Sequence, residues 1–253
     1  MRKIAPDQRV EDPLLMRLIR AIVNDDERMV TTLIGRSPSL ARRHFEVGAT
    51  RQRETDFFFE EIKHYLYAGD TALHAAAAGY RLGIARQLIK SGSDVRAANR
   101  RGAEPLHYAA DGIPGSRHWN PGAQADIIAL LIDAGADPNA LDKSGVAPLH
   151  RAVRQRCLGA VDSLLRNRSS VRLRNKSGST ALHLAVQSVQ VPDLERTLRL
   201  LVGAGADRSV KNNRGETAQK CLLNRPTDDV RRGNVTYVSG YAYTDEYRYL
   251  GDH

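Results

Sequence analysis

The chain is poor in the residues that build covalent or catalytic frameworks. Its 253 residues contain two cysteines, Cys157 and Cys221. Two isolated cysteines in apolar stretches form neither a disulfide framework nor a metal-ligand spacing, which excludes a cystine-stapled domain or a zinc module and points to a reducing compartment. Aromatics are sparse, with one tryptophan and four phenylalanines. No apolar run approaches the roughly 20 residues that span a bilayer. The first residues, Met1 to Gln8, hold no hydrophobic signal core. A cytoplasmic protein with no membrane partner is expected. Acidic residues are outnumbered, 29 Asp+Glu against 38 Lys+Arg, for a net charge of +9. That excess favours acidic partners and adhesion to polyanions, although a merely solvated basic surface would have the same composition. Nucleophile elbows, phosphate-binding glycine loops and His-Glu zinc helices are all missing. No enzyme, cofactor or metal site is expected.

What the chain does have is repetition. Gly69-Asp70-Thr71-Ala72-Leu73-His74-Ala75-Ala76 returns as Gly102-Ala103-Glu104-Pro105-Leu106-His107-Tyr108-Ala109. It returns again as Gly145-Val146-Ala147-Pro148-Leu149-His150-Arg151-Ala152 and as Gly178-Ser179-Thr180-Ala181-Leu182-His183-Leu184-Ala185. A worn copy, Gly215-Glu216-Thr217-Ala218, loses the Leu-His. The histidines step by 33, 43 and 33 residues, and Thr180 to Thr217 spans 37. A period of 33 with two lengthened units is a repeat array, in which each unit buries its apolar face against its neighbours.

The periodicity divides the chain as follows. Residues 1–12 read as a loose N-terminus and 13–225 as the array. In 13–41, Asp12-Pro13 starts a helix and Leu14, Leu15, Leu18, Ile19 and Ile22 follow at helical spacing; with a second short helix this is a degenerate N-terminal cap. The segment 42–68 is an insertion, expected to be a mobile basic loop followed by a helix. Phe58, Phe59, Ile62, Tyr65 and Leu66 share one helical face there, either covering the first joint or offering an aromatic patch to a partner. Units follow at 69–101, 102–144, 145–177 and 178–214, then a half-unit at 215–225. The second carries a ten-residue insertion with Trp119, and the fourth has four extra residues around Gln187–Pro192. Gly92 and Gly135 end helices where positive φ is needed, and Arg168 stands at the same place in the third unit. The tail 226–253 is tyrosine-rich and expected to be partly unstructured.

Thr-Ala-Leu-His-x-Ala and Pro-Leu-His-x-Ala at this spacing, with Gly-Ala-Asp-Pro-Asn-Ala at 135–140, resemble ankyrin repeats. The resemblance is strong over 69–223 and weak over 13–41. Glu104 and Ala147 depart from the motif's threonine, Ala72, Ala181 and Ala218 from its proline, and Arg168 from its glycine. It implies an all-α solenoid of stacked helix-turn-helix units with turn-like fingers. Leu73, Leu106, Leu149 and Leu182 would stack as a ladder. His74, His107, His150 and His183 would tie helix starts to adjacent loops, lying one unit apart and too far to share a metal. The resemblance also implies a non-enzymatic interaction protein, read here as a monomer, that binds another protein through finger tips and inner helices. Arg100, Arg101, Lys143, Arg174, Lys176, Lys211 and Arg214 mark the tips. Tyr108, Asp111, Arg151, Arg154 and Gln187 fall on the inner helices, and Trp119 on the insertion. An acidic protein segment is the expected partner, and nucleic acid bound by the same basic ridge is the alternative. His64 beside Glu60 and Glu61, and His118 beside Trp119, are read as surface groups on insertions.

Overall fold

The computed structural model describes residues 12–50, 55–188 and 191–224. Helices there come in pairs: α1 (Pro13–Val23) with α2 (Glu27–Arg36), α3 (Ala72–Ala78) with α4 (Leu82–Lys90), and α5 (Pro105–Ala109) with α6 (Pro121–Asp133). Next come α7 (Pro148–Arg154) with α8 (Leu158–Arg166), α9 (Ala181–Ser188) with α10 (Val191–Gly203), and a last α11 (Ala218–Leu223). The odd-numbered helices pack one on the next, and so do the even-numbered ones from α2 to α10. Two parallel layers result, which is a mostly helical solenoid.

Local chemistry sets the ends of these helices. Asp12 accepts a hydrogen bond from the Leu14 amide at 2.9 Å and Asp26 one from Met29 at 2.9 Å, capping α1 and α2. Gly92, Gly135 and Gly205 leave α4, α6 and α10 with φ of 89°, 102° and 87°. Arg168 makes the same exit from α8 with φ of 66°, so a side chain sits in the left-handed region that its three counterparts give to glycine.

Between the layers, Leu73, Leu106, Leu149 and Leu182 are all buried, one per unit. Leu33, Leu88, Leu131, Leu164 and Leu201 do the same in the second layer. Each buried leucine contributes about 1.5–3 kcal/mol. Because a single unit cannot close this core alone, stability is a property of the stack.

Among its described residues the 42–66 insertion holds no α-helix. Thr55–Phe57 makes one 3-10 turn and is followed by an antiparallel hairpin, β1 (Phe58–Phe59) with β2 (His64–Tyr65). Lys63 closes its turn at φ 50°. Phe59, Ile62 and Leu66 of the expected helical face are buried while Phe58 and Tyr65 are half-buried, and Phe57, outside that face, is buried too. A helix of about twelve residues is marginal by itself, whereas extended backbone finds ready partners here. The Leu66 amide donates to Phe57 O at 3.0 Å, and the Ala49 amide to Leu66 O at 2.8 Å. A 3-10 turn over Pro38–Arg42 leads into the described part of the basic loop, where Phe45 exchanges backbone hydrogen bonds with Gly69 and Asp70, both 2.8 Å. Phe45 is buried edge-on to Phe57. Residues 1–11 of the expected loose N-terminus, residues 51–54, the 226–253 tail and part of the fourth unit's four extra residues lie outside the described residues.

Candidate functional site

Each finger is organised by one Asx side chain. Asn99 Oδ1 accepts from the amides of Arg101 (2.8 Å) and Ala103 (3.0 Å). Asp142, Asn175 and Asn212 repeat this with the amides two and four residues on. Tips then bond tip to tip: Lys143 N to Arg101 O at 2.9 Å, Lys176 N to Ser144 O at 3.0 Å, Asn213 N to Ser177 O at 3.0 Å. A continuous edge of backbone thus spaces the tip side chains evenly.

Behind the fingers, each Leu-His box is wired alike. Nδ1 of His74, His107, His150 and His183 accepts from the backbone N–H three residues earlier, at 3.0, 3.1, 3.0 and 3.3 Å. The other ring nitrogen, Nε2, therefore carries the proton and donates to a carbonyl of the next finger: Ala103, Val146, Leu173 and Glu216, at 3.0–3.1 Å. Burial pushes all four imidazoles below their usual range, to about 4 for His107, so they are neutral. They serve as joints between units and are closed to a ligand.

The two insertions meet over the inner helices. The β1–β2 hairpin lays the His64 ring on Tyr108, centroids 4.4 Å apart, with His64 Nε2 3.6 Å from Asp111 Oδ2. Asp111 Oδ2 accepts from Arg151 at 2.7 Å, and Arg151 also reaches Asp142 at 3.2 Å. Burial alone would raise the Asp111 pKa, but Arg151 and His64 override it and hold the carboxyl at about 2. Burial lowers the Arg151 pKa less than the two carboxylates raise it, so it stays charged. Asp111 Oδ1 and Arg151 Nε are sealed from solvent and make no hydrogen bond.

From the other side, the 111–120 loop is pinned by Gln124. Its amide donates to Ala109 O and Asp111 O, both at 3.0 Å, and accepts from Trp119 Nε1 at 2.9 Å. Tyr80 donates to Asp111 O at 2.6 Å. At Gly112 a Cβ would meet Cys157 Sγ at 2.8 Å and Tyr80 Oη at 2.9 Å, so only glycine lets the loop turn there. Hairpin and loop enclose a cleft of about 290 Å³ on the inner-helix side, with Tyr65, Tyr67, Ile113 and Trp119 in its walls.

The residues expected at the binding surface divide into two sets. Arg100, Arg101, Lys143, Arg154, Arg174, Lys176, Gln187, Lys211 and Arg214 are exposed. Arg101 lies over the Tyr67 ring at 4.5 Å, with Arg100 further out at 5.4 Å. Arg174 is tied to the backbone, donating to Gly178 O and Lys211 O, and Arg214 pairs with Glu216 at 3.1 Å. Arg101, Lys143, Arg154, Lys176 and Lys211 form no ion pair with another described residue. Trp119 is half-buried in the cleft wall. Tyr108, Asp111 and Arg151 do not belong on the open ridge. The Tyr108 ring is buried and its hydroxyl donates to Asp70 at 2.7 Å. Asp111 and Arg151 satisfy each other beneath the insertions, each side chain 13% exposed. His64, read as a surface group, belongs to the same cluster.

Asp70 escaped the sequence reading. It is fully buried and accepts from Tyr67 N (2.6 Å), Tyr108 Oη (2.7 Å) and Asn99 Nδ2 (2.9 Å). The signal was available: the same register holds Ala103, Val146 and Ser179 in the next units. Gln124, in the first turn of α6, left no such mark.

Paired helices in two layers, a hydrogen-bonded row of fingers and neutral histidine joints define a solenoid scaffold with an open face. Among the described residues there is no cluster of three metal-capable side chains and no helix long and apolar enough to cross a membrane. Comparison with known families agrees: the ankyrin repeat model matches residues 68–100, 101–143 and 177–213, and a model of many copies of ankyrin repeats matches 131–185. The chain belongs to the ankyrin repeat family. It is 32% identical over 172 residues to the B-cell lymphoma 3 protein homolog of Mus musculus, a match covering 66% of this chain. The match spans 36% of that relative's length. Ankyrin repeats imply protein–protein interaction, and proteins built from them are typically non-enzymatic binding scaffolds.

Proposed function

We propose that this protein binds a segment of another protein carrying carboxylates, laid along the finger row and the inner-helix face. One observation carries this reading. Arg101, Lys143, Lys176 and Lys211 along the row, and Arg154 at the end of α7, form no ion pair with another described residue, so they keep their charge for a partner. Guanidinium and ammonium groups held in register by the backbone edge match carboxylates spaced along an extended chain. A cytoplasmic monomer that captures such a segment is consistent with the buried, unbridged cysteines.

Nucleic acid is the weaker reading, because Tyr108, the aromatic that would have stacked on bases, is buried. Affinity capture with the wild type and with an Arg101→Glu, Arg154→Glu, Lys176→Glu triple variant tests the first reading. Loss of the captured protein at an unchanged melting temperature is expected, and undiminished capture refutes the ridge. Binding to a random DNA duplex, weakening with salt at a log–log slope near −0.9 per phosphate, would favour the second.

A further inference from the structure

Three features of the molecule lie outside the repeat rhythm: the β1–β2 hairpin, the 111–120 loop, and the Asp111–Arg151 pair beneath both. They converge on one cleft of about 290 Å³. Its charged lining is Lys63, Arg101, Arg151 and Arg154 against Asp111 alone. Asp111 is held by Arg151, and Lys63 pairs with Glu60. That leaves Arg101 and Arg154 as the lining cations with no carboxylate among the described residues. They come from different elements, a finger tip and the end of α7, so a group between them is gripped from two directions. The space holds one long side chain rather than a folded element.

Resting on the reading of a bound acidic segment, we infer that this cleft is the specificity pocket for a single Glu or Asp side chain of the partner, clamped by Arg101 and Arg154. The carboxylate is the anion that an acidic protein segment carries, and two guanidinium groups match its two oxygens. The Arg101 guanidinium already lies over the Tyr67 ring, its Cζ 4.5 Å from the centroid, which limits its freedom before binding. The array elsewhere supplies a long, unselective basic edge; the cleft adds discrimination at one position of the segment.

Selection of a random 12-residue peptide library on the full chain, followed by anisotropy with the selected peptides, tests this. The expected result is an acidic residue at one fixed position, with Glu→Gln there weakening binding about tenfold or more. Arg101→Gln or Arg154→Gln should reduce that Glu-over-Gln preference, and the double variant should abolish it. Ser116→Trp, which fills the cleft and leaves every charge in place, should do the same. Lys176→Gln should weaken all selected peptides alike and keep the preference. A circular dichroism melt of each variant at the wild-type temperature establishes folding. Peptides that bind through the row but show no cleft-dependent acidic position overturn the pocket and leave the ridge standing. Recovery of no peptide overturns both. A phosphoserine peptide bound more tightly than its glutamate counterpart refutes the carboxylate assignment.

Discussion

The four Leu-His boxes and the hub at Asp111 both place buried polar groups at joints between units, by opposite chemistry. In the boxes a neutral imidazole takes one backbone N–H and gives its own to a neighbouring carbonyl. Both partners are main chain, so the device survives any change of side chain around it: it works with Thr71, Glu104, Ala147 or Thr180 at the helix start. At the hub, charges from non-equivalent positions meet once, and two buried atoms stay without a hydrogen bond. A backbone-satisfied joint can be copied down a solenoid. A side-chain hub cannot, and it occurs where the insertions make this array unlike a plain stack.

Acid should break the comparison most sharply. The folded pKa of His107 lies near 4, below the roughly 6.5 of an unfolded histidine. The native box therefore excludes a proton that the unfolded chain binds. Its stabilising effect is complete above about pH 6.5 and is lost, at about 1.4 kcal/mol per pH unit, as pH falls towards 4. His74, His150 and His183 shift in the same direction and add to the loss. Asp111, with a folded pKa of about 2, contributes stability that is present above the unfolded value of 3.8 and lost progressively as pH falls from there through about 2. Thermal melts between pH 7 and 3 should drop steeply above pH 4, and Asp111→Asn should leave that limb in place. Glu104, whose carboxyl burial pushes up to about 7, gains stability over the same window and offsets part of this loss, so a flat profile in a Glu104→Gln variant would contradict the neutral boxes.

Removing one partner of the hub comes next. Arg151→Ala strands Asp111 under the insertions and should cost about 3–5 kcal/mol, read from the urea midpoint. The double variant Arg151→Met, Asp111→Leu should be far less destabilised, because it buries no lone charge. Equal losses would show that the pair acts through packing.

The smallest expected effect sharpens the regular side of the contrast. Arg168→Gly should stabilise by about 0.5–1 kcal/mol, since the exit from α8 already has the positive φ that glycine adopts freely. A loss on differential scanning calorimetry would mean that the exposed arginine side chain makes a contribution outweighing its backbone strain.

Much of this was legible in the residues, and the rest failed for physical reasons. Spacing placed the ladder leucines and the joint histidines, because a 33-residue beat puts equivalent side chains at equivalent depths. It misassigned Phe58–Leu66, where the buried set Phe59, Ile62 and Leu66 fits a helix face as well as a hairpin seam. The backbone bond from Ala49 to Leu66 favours the extended form, and it spans 17 residues, beyond a local window. Tyr108 and Arg151 share the register of Ala75 and Leu184, so position alone put them on the open face. The hairpin that covers them comes from a segment more than forty residues before Tyr108.

The sequence by itself determined the family, the two-layer stack, the basic face and the neutral joints, since each depends on contacts between identical steps of one period. Only the tertiary structure decided the cleft. It requires two insertions, each without a counterpart in the other units, to close over the same inner helices. Long-range pairing of unique segments leaves no periodic trace, so the pocket that Arg101 and Arg154 both line could be read only after the chain had folded.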